Sequence, residues 1–438
     1  METKLARISQ MSRENPELVF TSIFHLINVE LLKECHEEMD GDKAVGIDGV
    51  TKAMYAGKLD SNLESLVNSL RKLSYKPKPA RRIEIPKDNG KMRPLNIYCY
   101  EDKLVQSAIK KVLEVVFEPA FYNEMMGFRP NRGCHDAIRL LNQMIERNNT
   151  SFILDADIKG FFDHLDHNWI IRFIKSRIRD PRFIRLVIRM LKSGIIENYV
   201  FEATEEGSGQ GAVCSPTIAN IYMHYVLIWW FKERMQPLFK GFSGLVAYAD
   251  DFVVCFQYKR DAENFYYHLK KRMKLFGLEM EESKTRLIGF GRFEEEYRRK
   301  TGKGRPETFT FLGFTHYCST SRNGKFRVKR RTSRKKFAKK CRELNKKLKE
   351  MRNWKIGEIF RRVNQILIGY YHYYGITDNI VCISRMRNKV IKMLFYWLNR
   401  RSQRRSYTWD QFNNLLIYLP IAKAKIYVNI YDQPLTNN

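Results

Sequence analysis

The stretch Gly244-Leu245-Val246-Ala247-Tyr248-Ala249-Asp250-Asp251-Phe252-Val253-Val254-Cys255-Phe256 decides how this chain is read. Apolar β-formers flank two adjacent carboxylates, a pattern that predicts strand, tight turn and strand, with both acids carried out at the tip. Two ionised carboxylates side by side repel, and a divalent cation relieves the repulsion. Mg²⁺ suits a site of carboxylates and phosphates. Taken alone, an Asp-Asp pair is also an ordinary solvated turn, so its meaning has to come from the rest of the chain.

That chain is strongly basic. Its 438 residues carry 78 Lys and Arg against 48 Asp and Glu, a net charge of +30, which points to a polyanionic partner, nucleic acid first. Aromatics at 13% provide both core material and rings for stacking on bases, and a hydrophobic content of 44% excludes a basic disordered tail. The length exceeds the roughly 250–300 residues that one core organises, so two or more domains are expected. Eight cysteines are scattered with no CxxC pair and no zinc-site spacing, as for plain thiols in a reducing cytosol. The start, Met1 to Arg7, lacks an apolar signal core, and the most apolar stretch, Ile218 to Phe231, is too short for a membrane span. That stretch predicts a buried helix with Ser215 as N-cap and Pro216 first in the helix. A cytoplasmic protein with no membrane partner is expected.

Outward from the tip, Phe152-Ile153-Leu154-Asp155-Ala156-Asp157-Ile158 predicts a short strand with an acid near its end. Two-metal phosphoryl transfer needs carboxylates from separate segments around cations about 3.5–4 Å apart. Asp157 and the Asp250-Asp251 tip supply them if the two elements are neighbours in one sheet. Residues 1 to 75 read as helical up to Pro77 and Pro79, and Arg81 to Leu95 alternates around Asp88-Asn89-Gly90 as a basic hairpin. Glu101 to Phe117 has the spacing of one helix face. Downstream, residues 321–350 hold 15 Lys or Arg and two acids, on a helical pattern from Ser333. The aromatic block Ile368 to Gly375 follows directly, as a nucleic-acid groove requires. Asp163 to His167 lacks partners at metal-site spacing, and Gly302-Lys303-Gly304 reads as a linker.

The order of motifs resembles that of the reverse transcriptases encoded by bacterial group II introns. The resemblance rests on Gly46 to Val50, the hairpin from Arg81 to Pro94, Gly127 to Gly133 and Ala156 to Asp163. It continues through Gly209-Gln210-Gly211 with Ser215-Pro216 and Ala219 to Tyr222, then Tyr248 to Asp251, Lys284 to Leu287 and Phe311 to Phe314. One such block is weak evidence; eight in order are not.

The resemblance implies an α+β right-hand polymerase: fingers at 1–148, a palm with an antiparallel sheet at 149–318 (part of the fingers inserted near 168–200), and a helical basic thumb at 319–438. It implies Asp157, Asp250 and Asp251 as catalytic metal ligands for two Mg²⁺ ions, with Mn²⁺ able to substitute and the Ile158 carbonyl as a further ligand. Lys87, Arg93, Gln210 and Lys284 would contact the nucleotide, with Phe162 against its sugar to reject a 2′-hydroxyl and Phe161 as the competing ring. Phe311, Leu312 and Gly313 would grip the primer. Arg330, Arg331, Arg334, Lys335, Lys336, Tyr370 and Tyr373 would bind RNA. Gly209 stands where many members of the family have proline before Gln-Gly.

The implied function is RNA-directed DNA synthesis together with maturase binding of intron RNA, for splicing and retromobility. The partners would be intron RNA or another RNA template, a DNA primer or target, and dNTPs, with monomer and homodimer both open. No endonuclease of the His-Asn-His type is expected past the thumb. Two other readings are an intron-free enzyme serving host repair or defence, and an RNA-binding splicing cofactor without polymerase activity.

Overall fold

In a computed structural model of the chain, the structure describes residues 2–86, 92–197, 200–203, 206–209, 211–403 and 406–431. It opens with helices α1 (Glu2–Glu14), α2 (Val29–Glu38), α3 (Lys52–Ala56) and α4 (Leu59–Arg71), then strands β1 (Ala80–Pro86) and β2 (Met92–Ile97). Helices α5 (Tyr100–Phe117) and α6 (Cys134–Arg147), strand β3 (Phe152–Ala156), helices α7 (His167–Lys175) and α8 (Pro181–Leu191), and strands β4 (Ile195–Glu197) and β5 (Val200–Glu202) follow. Then come α9 (Ser215–Met223), β6 (Ser243–Tyr248), β7 (Asp251–Phe256), α10 (Lys259–Leu275), β8 (Arg286–Gly289) and α11 (Arg292–Lys300). The last elements are β9 (Phe309–Phe311), β10 (Phe314–Thr320), β11 (Phe326–Thr332), α12 (Arg334–Met351), α13 (Ile356–Tyr374), α14 (Ile380–Leu398) and α15 (Trp409–Tyr418).

The central sheet has the order β6-β7-β3-β8, every neighbour antiparallel. Its side chains alternate between two cores, as period-two strands must. Ile153, Val246, Val253, Cys255 and Ile288 pack with Ala137, Leu141 and Ile145 of α6. On the opposite face, Leu154, Ala156, Phe252, Val254 and Phe256 join the main core with α5, α9 and α10. A one-residue slip in β3 or β7 would therefore carry Asp155 or Asp251 to the wrong face.

The basic hairpin forms as the alternation predicts, with Pro86 opposite Met92, and β1 also pairs in parallel with β4. Asp180 ties the N-terminal segment to the α7–α8 region. One carboxylate oxygen accepts from Ile23 N and Phe24 N, both at 2.8 Å, and the other caps α8 through Arg182 N at 2.9 Å. The four C-terminal helices enclose a separate core that includes Leu348, Val363, Leu367, Met386, Val390 and Phe412. Among the described residues, no helix is long and apolar enough to cross a membrane.

Three expectations change. Ser215 is the first residue of α9, after Cys214 as its cap, and its hydroxyl donates to Ser208 O and to Gly209 O at 3.1 Å. The buried helix also does not stop at Phe231: wide π-type turns at His224–Ile228 and Phe231–Met235 carry it on. The boundary expected after residue 318 falls inside β10, which pairs with β11 from Phe314↔Thr332 to Thr320↔Phe326. Helix begins only at Arg334, with Ser333 as its N-cap.

Candidate active site

Strand β3 lies directly beside β7, with Ala156 opposite Phe252. This pairing sets Asp157, one residue past β3, next to the tip formed by Asp250 and Asp251. The tip is a two-residue hairpin in which Tyr248 pairs with Asp251 and Ala249 takes φ +58. A side chain at positive φ is strained, and such strain persists where packing enforces it. Gly127 provides that packing, because a Cβ there would lie 2.4 Å from Ala249 N. The 124–127 segment also lies along β6, with Met126 N donating to Ala247 O and Ala247 N to Glu124 O, both at 2.9 Å. Asn220 Nδ2 donates to Gly127 O at 2.8 Å.

The acids act on one another. Burial, then the charge of Asp157, raises the Asp250 carboxyl above its ordinary range, while Arg93 and Lys284 oppose the shift. Asp251 rises to about 7, through burial first and then the charges of Asp155, Asp157 and Asp250, against a hydrogen bond from Leu312 N–H. Burial raises Asp155 to about 6 despite Arg286, whose guanidinium lies 3.7 Å away. An all-oxygen donor set whose members resist shared ionisation fits a hard divalent cation. The side chains are not gathered around one point, however: among the described residues no three acids, histidines or cysteines are grouped to hold an ion. Asp157 is engaged by Lys284 Nζ instead. Beside it, Glu281 N donates to Asp157 O at 2.8 Å and Lys159 N to Glu279 O at 2.9 Å, so the bonds bracketing Ile158 do not use its carbonyl.

Of the expected nucleotide contacts, Arg93 and Lys284 act on Asp250, whereas Lys87 and Gln210 lie outside the described residues. Phe161 is buried, packing edge-on against Tyr222, and Phe162 is only half-buried. Gly209 has φ +62 and a Cβ there would meet Tyr98 Oη. Proline, fixed near φ −65°, cannot adopt that backbone, so the departure from the family pattern is a different loop conformation.

At the β9–β10 turn, Leu312 and Gly313 both have positive φ, +49 and +78. They border a groove of about 740 Å³ that runs from Asp251 to Lys336, Lys339, Lys340, Gly369 and Tyr373. Phe311 belongs instead to the core. The RNA-binding set divides in the same way. Arg331, Arg334, Lys335 and Lys336 are exposed. Arg330 is 0% exposed and donates to Asn142 Oδ1 at 2.7 Å, with Asp378 at 3.9 Å. It joins β11 to α6 and cannot meet RNA. Tyr370 is also buried, its ring 4.6 Å from that of Tyr374, and the Tyr373 hydroxyl donates to Leu312 O at 2.9 Å. Tyr370 is therefore no open stacking platform, whereas Tyr373 is half-buried and lines the groove.

Sequence reasoning did not assign Arg129 a role. It is buried, donating to Glu118 at 2.9 Å and to Tyr122 O and Met125 O at 2.6 and 2.9 Å, which fixes the segment under the acid tip. Its place inside the Gly127 to Gly133 block was the available signal.

Comparison with known proteins agrees with this geometry. The family described as reverse transcriptase (RNA-dependent DNA polymerase) matches residues 85–316, and the group II intron maturase-specific domain matches 334–414. The group II intron-encoded protein LtrA of Lactococcus lactis subsp. cremoris is 30% identical over 305 residues, 67% of this chain and 51% of that protein. Protein YkfC of Escherichia coli K12 is 33% identical over 242 residues, 49% of this chain and 64% of that one. An uncharacterised 91 kDa protein in a cob intron of Schizosaccharomyces pombe is 31% identical over 224 residues, 50% of this chain and 28% of that one. The chain thus spans about half the length of LtrA. With a family match over more than half of its residues, on a sheet that brings the acid-bearing segments together, the chain belongs to the reverse transcriptase family and carries a group II intron maturase-specific domain.

Proposed function

We propose that this chain is an RNA-directed DNA polymerase that extends a DNA primer on an RNA template. The observation that carries the reading is the β3–β7 pairing, which makes Asp157 a neighbour of Asp250 and Asp251. Two Mg²⁺ ions held by these carboxylates would activate the primer 3′-oxygen and stabilise the leaving pyrophosphate. Arg93 would clamp the triphosphate, to which a guanidinium fork is matched. Phe162 would close against C2′ of the sugar and exclude a hydroxyl. Lys284, which neutralises Asp157 here, would turn to the leaving phosphates as the nucleotide arrives. Fingers would comprise 1–148 and the palm would run from 149 to Thr332, at the end of the β9–β11 sheet, with the thumb beginning at Ser333.

A maturase role is the second part of the proposal, supported by the match over 334–414 and by the exposed cations at the start of α12. The chain would hold intron RNA through phosphate contacts and shape.

The test is incorporation of labelled dNTPs on a primed RNA template in Mg²⁺ by the full chain and by Asp250→Asn. Extension by the unchanged chain and none by the variant, with RNA affinity within a few-fold, is expected. Equal loss of RNA binding would make the acid structural.

A further inference from the structure

Phe128 has a side chain that folding does not use. Its ring is 47% exposed, on a backbone at φ +55, a region that a residue with a Cβ enters only at a cost in energy and that glycine enters freely. The chain enforces this conformation from both sides. Gly127 passes under Ala249 with its carbonyl held by Asn220, and Arg129 is buried, donating to the carbonyls of Tyr122 and Met125. A glycine at 128 would relieve the strain, and a half-exposed ring offsets little of it by burial. Strain kept where folding gains nothing from it points to a role for the side chain outside the fold.

The neighbour of this ring gives its place. The centre of the Tyr248 ring lies 6.4 Å from that of Phe128, at an interplanar angle of 45°. Tyr248 pairs directly with Asp251 across the hairpin, and opposed residues of an antiparallel pair project from the same face of the sheet. Phe128 therefore adjoins the face that carries the Asp251 carboxylate and opens into the groove towards α12 and α13. A phenyl ring carries no charge and has no hydrogen-bonding group, so phosphate is not its partner. What it takes from a nucleic acid is the face of a base or the C–H edge of a sugar.

We propose that Phe128 holds the primer end: its ring packs against the sugar and base of the 3′-terminal nucleotide and sets the attacking oxygen over the acid tip. In two-metal transfer that oxygen lies at a cation held by the carboxylates, so the nucleotide that carries it lies within reach of the rings flanking them. A paired terminus covers the ring, and a mismatched or frayed one leaves it wet. Phe128 thus favours extension of correctly paired ends. The inference rests on the reading of this chain as a polymerase, and it adds a residue that touches neither metal nor triphosphate.

The test uses the full chain with Phe128→Gly, which removes the ring and suits the backbone, and Phe128→Tyr, which keeps the ring. The glycine variant is expected to hold or raise its thermal midpoint and to bind a primer–template duplex within about twofold, since phosphate contacts carry that affinity. Its single-turnover extension of a paired end at saturating dNTP should fall about tenfold, as for a displaced reacting atom, and its preference for paired over mismatched ends should shrink. Phe128→Tyr should restore both. 2-Aminopurine as the primer-terminal base reads the contact without turnover, and its fluorescence should be brighter on the glycine variant than on the unchanged chain. A lowered midpoint for Phe128→Gly would make the ring structural, and unchanged fluorescence or an unchanged extension rate would overturn the contact. Failure of the unchanged chain to extend any primer would sink the polymerase reading instead, and the fluorescence comparison would still decide whether Phe128 meets the primer end.

Discussion

Tyr373 Oη donates a 2.9 Å hydrogen bond to Leu312 O, and Leu312 borders the same groove as Asp251, whose carboxyl its backbone N–H helps to hold down. One peptide turn thus links α13 to a candidate metal ligand. His135 adds a second tie to the same tyrosine, its Nε2 lying 2.8 Å from Tyr373 O.

Tyr373→Phe keeps the ring and removes the donor. A loss of about 1 kcal/mol in stability is expected, together with several-fold slower primer extension and unchanged RNA affinity. Thermal unfolding and single-turnover extension check it; an unchanged extension rate would separate the turn from the chemistry.

The two rings after Asp157 should behave differently. Phe162→Ala is expected to admit ribonucleotides with little effect on folding, because the side chain is half-buried. Phe161→Ala empties a core position and should cost about 3–5 kcal/mol. Incorporation assays with rNTPs beside dNTPs, and denaturant unfolding, read the two outcomes; the reverse pattern would exchange the roles.

Arg330 and its exposed neighbours give a third contrast. Arg330→Ala leaves Asn142 and Asp378 without their cation, so a loss of about 3 kcal/mol is expected, with no change in the salt dependence of RNA binding. Arg334→Gln/Lys335→Gln should leave stability within about 0.5 kcal/mol and make the salt dependence shallower. A shallower slope for the Arg330 variant at full stability would return that residue to the RNA surface.

Acid should weaken the fold through two buried histidines. Burial, then the charges of Arg129 and Arg177, holds His224 down to about 3, and burial with Arg330 does the same for His316. Each folded-state pKa lies below the unfolded value, so the unfolded chain binds more protons and stability rises with pH. The contribution is full above about pH 6.5 and is lost progressively below it, by about 2 kcal/mol per histidine at pH 5. Urea midpoints between pH 7 and 5 measure this, and His224→Phe should flatten the dependence; an unaltered slope in the variant would count against the assignment.

The strands and their acid tip were legible because β6, β7 and β3 alternate between two apolar cores, which leaves the carboxylates only the ends. Neighbourhood of β3 and β7 was not, since strand order depends on long-range pairing that local pattern does not encode. The basic run misled at Arg330 for a related reason. In β11 the buried side chains are Val328, Arg330 and Thr332, and a cation on that face is tolerated only because α6 and Asp378 supply partners from elsewhere in the chain. The φ +62 of Gly209 was hidden in the same way, since a glycine in sequence does not declare which of its allowed conformations is used.

The middle position of β3 in the sheet has a consequence for the chain during its synthesis. Asp157 emerges early, while both strands that flank β3 come much later, ending at Gly289. With the ribosome adding about 5–20 residues per second, the nascent protein spends seconds with one acid made and no sheet to align it. The cations of 321–350 follow only after that sheet is complete. Capacity to act on a polyanion and capacity to hold it on α12 therefore arrive close together, and a chain made only through β3 offers neither.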